Sequence, residues 1–457
     1  MSDAHFELAE RLHAVGQQHL LSGIQDLDDC QQERFLAAIA TVDWEELAHP
    51  QSPPEHSAVS PARVIDLQER RERSEELCAA GNAAYAAGTV AVLMVAGGMG
   101  SRLGFSGPKG CYEIGAHSGK SIYQIQAEKV LDCSRRSGHD IPFLVMTSPV
   151  TDEETRDFFI ANGNFGLTME QVRFFSQGTV PSLDQDGKAL LAGPGELLTN
   201  PDGHGGCFTA LVASGALARL REEGIEHIVY IQVDNILAPV DDPALIGLAE
   251  CEQADVVTKV LEKAHPDEKV GHLVRCGDHD LIIEYTELSP EETRLRDANN
   301  TLVYRWGSPA MHSWRVSFLH RLAESGFRPP LHRSRKPLKA WAMGQGQQEV
   351  QGWKNERFIF DLIPQATTSV GLAIERSDEF APVKNAEGDD SPASARRLAS
   401  DAYARWFQQA GVSVEMKDSD LIEISPRYAG TCDRFLQRWD GSLERISGDY
   451  YLEDNDD

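Results

Sequence analysis

A glycine-rich stretch in the first quarter of the chain combines the backbone freedom and the positive charge that a phosphate site needs. Gly97, Gly98 and Gly100 allow the backbone to turn tightly and approach a ligand, so that amide N–H groups can point at phosphate oxygens. Arg102 and Lys109 follow and add two positive charges. The stretch predicts a nucleotide-phosphate site; a glycine turn with a purely structural role is the alternative.

The element that must position this loop is the apolar run VAVLMVA at Val90–Ala96. It is short and rich in valine, as is typical of a strand that is buried on both faces. Two known phosphate motifs do not fit the region. The glycines read GxGxxxG rather than the dinucleotide spacing, and GAHSGKS at Gly115–Ser121 is one residue short of a P-loop. We therefore expect a buried strand that leads into a phosphate loop of another kind.

A second apolar run, HIVYIQV at His227–Val233, is followed directly by Asp234. In open α/β sheets the carboxyl ends of the strands face the ligand crevice. Mg²⁺ binds well to one carboxylate together with nucleotide phosphates and waters. Asp234 is therefore a candidate magnesium ligand, and a cap on the following turn is the alternative.

The charge balance restricts the class of partner. The chain has 457 residues, with 43 basic against 71 acidic residues and a net charge of −28. Such a charge repels a polyphosphate backbone, so we expect no nucleic-acid partner. A small anion remains a possible ligand, because Arg102 and Lys109 can make one site locally positive.

The N-terminal residues MSDAHFELAE indicate neither a signal peptide nor a transit peptide, because they carry acidic residues and no apolar core. No run approaches the roughly twenty apolar residues that a bilayer requires. The eight cysteines form no CxxC pair, which argues against a disulfide scaffold or structural zinc. We expect a cytoplasmic protein with free thiols and no membrane partner; its oligomeric state stays open.

Hydrophobic spacing predicts three domains. Helical spacings dominate residues 1–89, with a proline-containing break, QSPPEHS, at Gln51–Ser57. Strands then alternate with helices over residues 90–388, which predicts an α/β domain with a mostly parallel sheet. Residues 389–457 form a small C-terminal domain with an acidic tail.

The segments AGGMGSRLG and PKG resemble the signature of the eukaryotic-type UDP-sugar pyrophosphorylases, the UDPGP family. The resemblance implies a Rossmann-like, GT-A-like nucleotidyltransferase fold that converts UTP and a hexose 1-phosphate into a UDP-sugar and pyrophosphate with Mg²⁺. The segments FIFD and PVKN are most similar to the UDP-N-acetylglucosamine branch. Further matching segments run in order along residues 90–388: KSIYQIQAEKV, VMTSPVTDEET, NPDGHGG, QVDNILAPVDDP, KVGHL, ERFIFD and EFAPVKNAEG.

The resemblance also implies roles for individual residues. Arg102 and the loop amides of Gly97, Gly98 and Gly100 correspond to groups that hold the β- and γ-phosphates. Lys109 and Lys384 correspond to catalytic lysines at the α-phosphate and the sugar phosphate, although a lone lysine such as Lys384 is otherwise a solvated surface residue. Asp234 corresponds to the metal ligand. Gln177 and Gly203 correspond to the uracil-reading residues, and the sugar pocket corresponds to His204, Glu284, Ser308, Phe358 and Phe360.

Two departures concern the sugar. The loop Gly203-His204-Gly205 is similar to the UDP-glucose branch rather than the N-acetylglucosamine branch. The family pattern Gly-Asn-x-x-Asn-His is also altered, because Ser308 and Met311 stand where that pattern has asparagines. Phe358 and Phe360 match an acetyl-facing wall, but an alternating aromatic pair also fits a half-buried strand. We expect N-acetylglucosamine 1-phosphate as the sugar substrate, with glucose 1-phosphate or a broad range as alternatives.

Two further classes of function remain open at this point. A non-catalytic nucleotide-sugar sensor would keep the loop and the uracil reader without turnover. A P-loop phosphotransferase would depend on GAHSGKS and therefore on Lys120.

Overall fold

The computed structural model describes residues 3–49, 59–285, 287–342 and 344–454. The predicted break at residues 51–57 lies outside them. The chain divides into two compact units, each assembled from three segments. The first comprises Met1–His56, Gln177–Ala210 and Arg328–Asp361, and the second comprises Ser57–Ser176, Leu211–Phe327 and Leu362–Asp457. The predicted domain boundaries at residues 89 and 388 remain predictions.

The α-helices are numbered along the chain. They are α1 Asp3–Ala14, α2 Asp29–Thr41, α3 Trp44–Ala48, α4 Leu67–Glu72, α5 Ser74–Ala86, α6 Ile122–Ser137, α7 Asp152–Ala161, α8 Gly206–Ala213, α9 Ala216–Glu222, α10 Pro243–Cys251, α11 Pro290–Thr293, α12 Val316–Glu324, α13 Arg376–Glu379, α14 Pro392–Gln409 and α15 Cys432–Arg438.

The strands are numbered in the same way. They are β1 Val59–Pro61, β2 Val64–Ile65, β3 Val90–Val95, β4 Phe143–Thr147, β5 Val172–Ser176, β6 Thr179–Pro181, β7 Leu183–Asp184, β8 Leu191–Gly193, β9 Glu196–Leu197, β10 Thr199–Pro201, β11 His227–Gln232, β12 Val256–Glu262, β13 His272–Cys276, β14 His279–Ile283, β15 Trp306–Gly307, β16 His312–Arg315, β17 His332–Ala342, β18 Gly346–Glu356, β19 Ser369–Ile374, β20 Ser413–Glu415, β21 Ile422–Ile424, β22 Arg445–Ser447 and β23 Tyr450–Leu452.

The second unit is built on one large sheet with the order β1-β13-β15-β12-β16-β11-β3-β4-β5, in which β14 also pairs with β13, and β19 pairs with β12 and β2. The expectation of a mostly parallel sheet is not confirmed, because the sheet is mixed. β11, β3, β4 and β5 pair in parallel, whereas β13 to β16 pair antiparallel with their neighbours. The antiparallel part includes a hairpin, since only two residues separate β13 from β14, and a parallel connection needs a longer crossover.

β3 lies inside this sheet, as the apolar run predicts. Five of its six residues are buried, and β11 and β4 pair with its two edges. The following helix α6 begins at the side-chain cap of Ser121, whose hydroxyl accepts from the amide of Gln124 at 3.1 Å. The helical spacing predicted for residues 1–89 is interrupted near its end, because Val64 and Ile65 form the strand β2 and helix begins only at Leu67.

The first unit has its own core and its own sheet. β17 and β18 pair as a hairpin of eleven residues on each strand, within the sheet order β7-β18-β17-β8-β9. Buried apolar side chains of α1, α2 and α3 cluster with side chains of its short strands, and they include Leu8, Leu12, Phe35, Ile39, Trp44, Val180 and Leu183. Among the helices that the structure describes, none has both the length and the apolar character that a bilayer crossing requires.

Candidate active site

The glycine-rich loop after β3 is closed by its own backbone. The amide of Gly100 donates to the carbonyl of Gly107 at 2.9 Å, and the amide of Lys109 donates to the carbonyl of Gly98 at 3.0 Å. A Cβ on Gly100 would lie 2.7 Å from the ring of Phe105, so this position requires glycine. The closure returns Lys109 to the edge of the sheet from which the loop departs.

Asp234 lies at the same edge because β11 pairs in parallel with β3. Gln232 is opposite Val95 in the register, so Asp234 and Gly97 each stand two residues beyond the last paired position. The Asp234 carboxylate is 3.8 Å from the Nζ of Lys109, and both side chains are largely buried. A charged hydrogen bond is normally near 2.8 Å, so the two side chains lie opposite each other without forming one.

The segment that carries Lys384 is attached to this edge through its backbone. The amide of Val383 donates to the carbonyl of Asp234 at 2.9 Å. The Lys384 ammonium itself lies 3.8 Å from Asp390 and 5.8 Å from the ring centre of Phe380, and the side chain is 46% exposed. The backbone next to Lys384 is thus bonded to Asp234, whereas the side chain of Lys384 lies near Asp390 and Phe380.

Arg102 and Gly98 are exposed, and Gly97 is half-buried. Arg102 belongs to the 3-10 helix Ser101–Leu103 within the loop. The loop therefore presents both a guanidinium and glycine backbone at its surface.

Glu284 and Ser308 flank one position of the sheet. His272 pairs with Ile283 on one side and with Gly307 on the other. Glu284 and Ser308 follow those two partners directly, so their backbones are on the order of 10 Å apart, two strand spacings. Both side chains are half-buried.

The segment after Ser308 leads back to the residue beside Asp234. The Ser308 hydroxyl accepts from the amide of Ala310 at 3.3 Å, and Ala310 has a positive φ of 56°. Met311 is buried, and its sulfur accepts from the Asn235 side-chain amide at 3.6 Å. The segment that follows Ser308 and the sheet edge that carries Asp234 thus meet at Asn235.

The loop GAHSGKS binds an internal carboxylate. Glu423 accepts from the amides of His117 and Ser118, at 2.6 and 3.0 Å, and from the Ser118 hydroxyl at 2.5 Å. The Lys120 ammonium donates to the buried Glu128 at 2.6 Å. The groups that a P-loop would direct at phosphate therefore hold two carboxylates of this chain.

In the first unit, Gln177 lies next to the turn that contains Gly203. Asp202 donates its amide to the carbonyl of Gly178 at 3.1 Å, and Arg357 donates its amide to the carbonyl of Asp202 at 2.7 Å. Gly203 has a φ of +87°, and a Cβ there would lie 2.5 Å from the carbonyl oxygen of Arg357. The turn therefore needs glycine both for its conformation and for its close packing. Burial raises the pKa of Asp202 to about 7.

His204 is packed into an aromatic cluster in the same unit. Its ring is 5.4 Å from Phe358 and 5.7 Å from Phe360, measured between ring centres. The Nδ1 atom accepts from the amide of Ile359 at 3.1 Å, which places the proton of the neutral ring on Nε2. Burial lowers the pKa of His204 to about 4. The ring is therefore a neutral hydrogen-bond donor.

The aromatic pair does not lie in a strand. β18 ends at Glu356, and Phe360 belongs to the 3-10 helix Ile359–Gln365. His332 packs against Phe358 with 4.3 Å between ring centres, and its Nε2 lies 2.8 Å from the Asp361 carboxylate.

Several contributors were not found from the sequence. Asn235 lies inside a matched segment but carried no separate signal. His332, Asp361 and Glu423 are distant in sequence from the residues they support, and no local pattern identifies such pairs.

Comparison with known proteins gives consistent matches. A family model described as UTP--glucose-1-phosphate uridylyltransferase matches residues 31–419. UDP-N-acetylglucosamine diphosphorylase 2 of Arabidopsis thaliana is 35% identical over 93% of this chain and 90% of its own length. UDP-N-acetylglucosamine pyrophosphorylase of Saccharomyces cerevisiae is 33% identical over 92% of each chain. The crystal structure of the Trypanosoma brucei uridine diphosphate N-acetylglucosamine pyrophosphorylase superposes with a TM-score of 0.81 at 28% identity, covering 100% of this chain and 99% of that one.

The lowered pKa of His204, whose side chain is half-buried, predicts a pH-dependent stability. Its pKa is about 4 in the folded protein and about 6.5 when exposed, so the unfolded state takes up the proton first as the pH falls. Stability should therefore decrease from pH 6.5 towards pH 4 and be independent of this group above pH 6.5. Between pH 7 and pH 5 the wild type should lose about 2 kcal/mol more than His204→Gln.

Urea unfolding at both pH values measures this difference. His13→Gln is the matched control, because His13 is exposed, and it should behave as the wild type. An equal loss of stability in wild type and His204→Gln would contradict the lowered pKa of His204 and hence the neutral state of its ring.

Proposed function

This chain belongs to the UTP--glucose-1-phosphate uridylyltransferase family, and on that premise we propose that it transfers the uridylyl group of UTP to a hexose 1-phosphate. At the level of its family it is a UTP-utilising uridylyltransferase, or pyrophosphorylase. In the proposed reaction an oxygen of the sugar phosphate attacks the α-phosphorus of UTP. The bond from that phosphorus to the oxygen bridging to the β-phosphate breaks, and pyrophosphate leaves with the electron pair. The reverse reaction follows the same path.

The observation that supports this proposal is the closed glycine loop at the edge of β3 and β11. It presents Gly98 and Arg102 at its surface, and it returns Lys109 to within 3.8 Å of Asp234. No covalent intermediate is required, so catalysis depends on alignment and on stabilising the charge of the reacting and departing oxygens. A cation and a carboxylate that are not in close contact can each stabilise charge on a substrate, so this pair suits that task.

The phosphate roles divide among the charged groups of the second unit. Arg102 and the amides of Gly97 and Gly98 would hold the β- and γ-phosphates. Gly100 would contribute through the tight turn, because its amide is bonded to the carbonyl of Gly107. Lys109 would face the α-phosphate, where negative charge develops. The exposed side chain of Lys384 would bind the phosphate of the sugar substrate.

Asp234 fits a magnesium ligand. Its carboxylate has Lys109 as a described ion-pair partner only at 3.8 Å, so it retains oxygens that can bind a cation. Mg²⁺ prefers one or two carboxylates combined with phosphates and waters. When bound, the ion would neutralise charge on the nucleotide oxygens.

The uracil and sugar roles are assigned to the remaining residues of the resemblance. Gln177 and Gly203 would read uracil, since an amide offers both the donor and the acceptor that an imide edge requires. His204 would donate from Nε2 to an oxygen of the sugar nucleotide. Phe358 and Phe360 would supply apolar surface, and Glu284 and Ser308 would contact the sugar.

We propose N-acetylglucosamine 1-phosphate as a sugar substrate, supported by relatives that bear that activity in their names. Selectivity over glucose 1-phosphate should be weak, because Ser308 and Met311 replace both asparagines of the family pattern. Met311 is buried against Asn235, so its position offers no polar group to an acetamide. The cytoplasmic location remains a prediction.

The activity itself is tested with purified protein, UTP and a panel of sugar 1-phosphates. Glucose, galactose, N-acetylglucosamine and N-acetylgalactosamine 1-phosphates are compared by the rate of pyrophosphate release, with and without Mg²⁺. We expect magnesium-dependent release with at least one sugar, and poor rates when ATP or dTTP replaces UTP. If the protein binds UDP-sugars but releases no pyrophosphate with any sugar 1-phosphate, the result would contradict the proposed enzymatic activity and favour a nucleotide-sugar sensor.

Two lysines that follow glycine-rich loops form a matched pair for mutation. Lys109→Ala should lower kcat by at least ~100-fold, because it removes a preorganised charge from a developing anion, and should leave stability nearly unchanged. Lys120→Ala should leave kcat unchanged and reduce the free energy of unfolding by about 1–3 kcal/mol, because the buried Glu128 loses a charged partner.

Steady-state kinetics and thermal unfolding of both variants measure the two effects. A P-loop phosphotransferase would show the opposite pattern, with activity lost in Lys120→Ala.

Ser308→Asn tests the origin of sugar selectivity. A hydrogen bond to a buried acetamide contributes about 1–3 kcal/mol, which corresponds to roughly 5- to 150-fold in kcat/KM. We expect the ratio of kcat/KM for N-acetylglucosamine 1-phosphate over glucose 1-phosphate to rise by that order. Ser442→Asn, at an exposed serine, should leave the ratio unchanged. A wild-type preference for the acetylated sugar above about a thousandfold would contradict the weak selectivity.

A further inference from the structure

Asn235, the residue after Asp234, is almost completely buried and uses its side chain as a link between segments. Its exposed fraction is 3%. Its Nδ2 donates to the carbonyl of Glu379 at 2.8 Å, and its Oδ1 accepts from the amide of Ala381 at 2.9 Å. An asparagine side chain that pairs with two backbone groups of another segment imitates a strand neighbour. The sequence near residue 380 is thereby held against the end of β11.

The backbone continues the same pairing on both sides of Asn235. The amide of Ile236 donates to the carbonyl of Ala381 at 3.3 Å, and the amide of Val383 donates to the carbonyl of Asp234 at 2.9 Å. Asn235 itself forms an antiparallel bridge with Pro382. Lys384 therefore follows a segment whose register against Asp234 is fixed residue by residue.

A buried ion network holds the other end of this segment. The Glu379 carboxylate contacts the ammonium of Lys259, which is 1% exposed, and lies 3.4 Å from Arg70. Lys259 also contacts Asp242. Burial acts to raise the pKa of Asp242, but the charges of Lys259 and Arg70 hold it below its ordinary value. The Asp242 carboxylate therefore stays ionised, and the ion pairs with Lys259 and Arg70 keep Glu379 in place.

Asn235 also reaches the segment on the sugar side. Its Nδ2 is 3.6 Å from the sulfur of Met311, which lies three residues after Ser308. One amide group thus contacts the segment that leads to Lys384 and the segment that contains Ser308.

We propose that Asn235 is a positioning residue that fixes Lys384 relative to Asp234 and Lys109. The inference rests on the proposed function, in which these charges surround the reacting phosphates. A lysine that is 46% exposed has many accessible rotamers, so its contribution depends on where its backbone is held. Misplacement by about 1 Å can cost on the order of 100-fold in rate. In this proposed role, Asn235 contacts no substrate and acts through Lys384.

The experiment is a double-mutant cycle between Asn235 and Lys384. Asn235→Ala should lower kcat by about 10- to 100-fold, with a smaller change in KM for UTP. In the Lys384→Ala background the same substitution should cost less than about threefold, because the group it positions is gone. Asn235→Asp, which keeps the shape and the acceptor oxygen but loses the amide donor, is the second variant in case Asn235→Ala fails to fold.

Gln171→Ala is the matched control. Gln171 is also 3% exposed, and its side chain makes hydrogen bonds of 3.0 Å to Ser134 and 3.3 Å to the carbonyl of Ile141 within the same unit. It should lose stability without a change in kcat.

Hydrogen exchange gives a readout that is independent of turnover. In Asn235→Ala, peptides covering residues 379–384 should exchange at least about tenfold faster, whereas in Gln171→Ala they should exchange as in the wild type. Equal costs of Asn235→Ala in the two backgrounds, or unchanged exchange at residues 379–384, would overturn the inference while the activity stands. A wild type without pyrophosphate release would overturn the proposed function and the inference together.

Discussion

The parallel pairing of β3 with β11 is the constraint on which the candidate site depends. Six residue pairs, from Val90 opposite His227 to Val95 opposite Gln232, set the register of two buried strands. The glycine loop and Asp234 leave the sheet at the same edge because that register is fixed. A slip of one residue would turn each apolar side chain to the other face of the sheet. The burial of valine, leucine and isoleucine therefore determines where the polar groups lie.

The second unit keeps the region behind this edge rigid by burying charges with defined partners. The Lys129 ammonium donates to the carbonyls of Ile236 and Ala238, at 2.7 and 2.9 Å, and burial lowers its pKa to about 7. Lys259 lies between Asp242 and Glu379. Hydrogen bonds in such a low-dielectric interior are strong, and an unpaired group there is costly. The segment after Asp234 is consequently held by partners inside the protein.

The parts that could be predicted from the sequence are those with a local signal. The run at Val90–Ala96 predicted a strand and the structure has β3 at Val90–Val95, because hydrophobicity and β-branching over a few residues are sufficient. The mixed sheet was missed because antiparallel partners such as β16 are specified by contacts across more than fifty residues. The first unit could not be foreseen either, since it joins three separate segments. The cluster of His204, His332 and Phe358 exists only through that assembly.

The two glycine-rich loops show what composition leaves open. Both combine glycines with a lysine, yet the loop around Ser118 binds Glu423, whereas Lys109, at the end of the other loop, has Asp234 at 3.8 Å as its described ion-pair partner. In a chain with 71 acidic residues, an internal carboxylate competes with any phosphate for a cradle of amides and cations. A loop that binds an internal carboxylate has a structural role, because its hydrogen-bond donors are already satisfied. The loop after β3 keeps Gly98 and Arg102 at the surface, and that difference, which arises from tertiary packing, supports the proposal that this loop is the phosphate site.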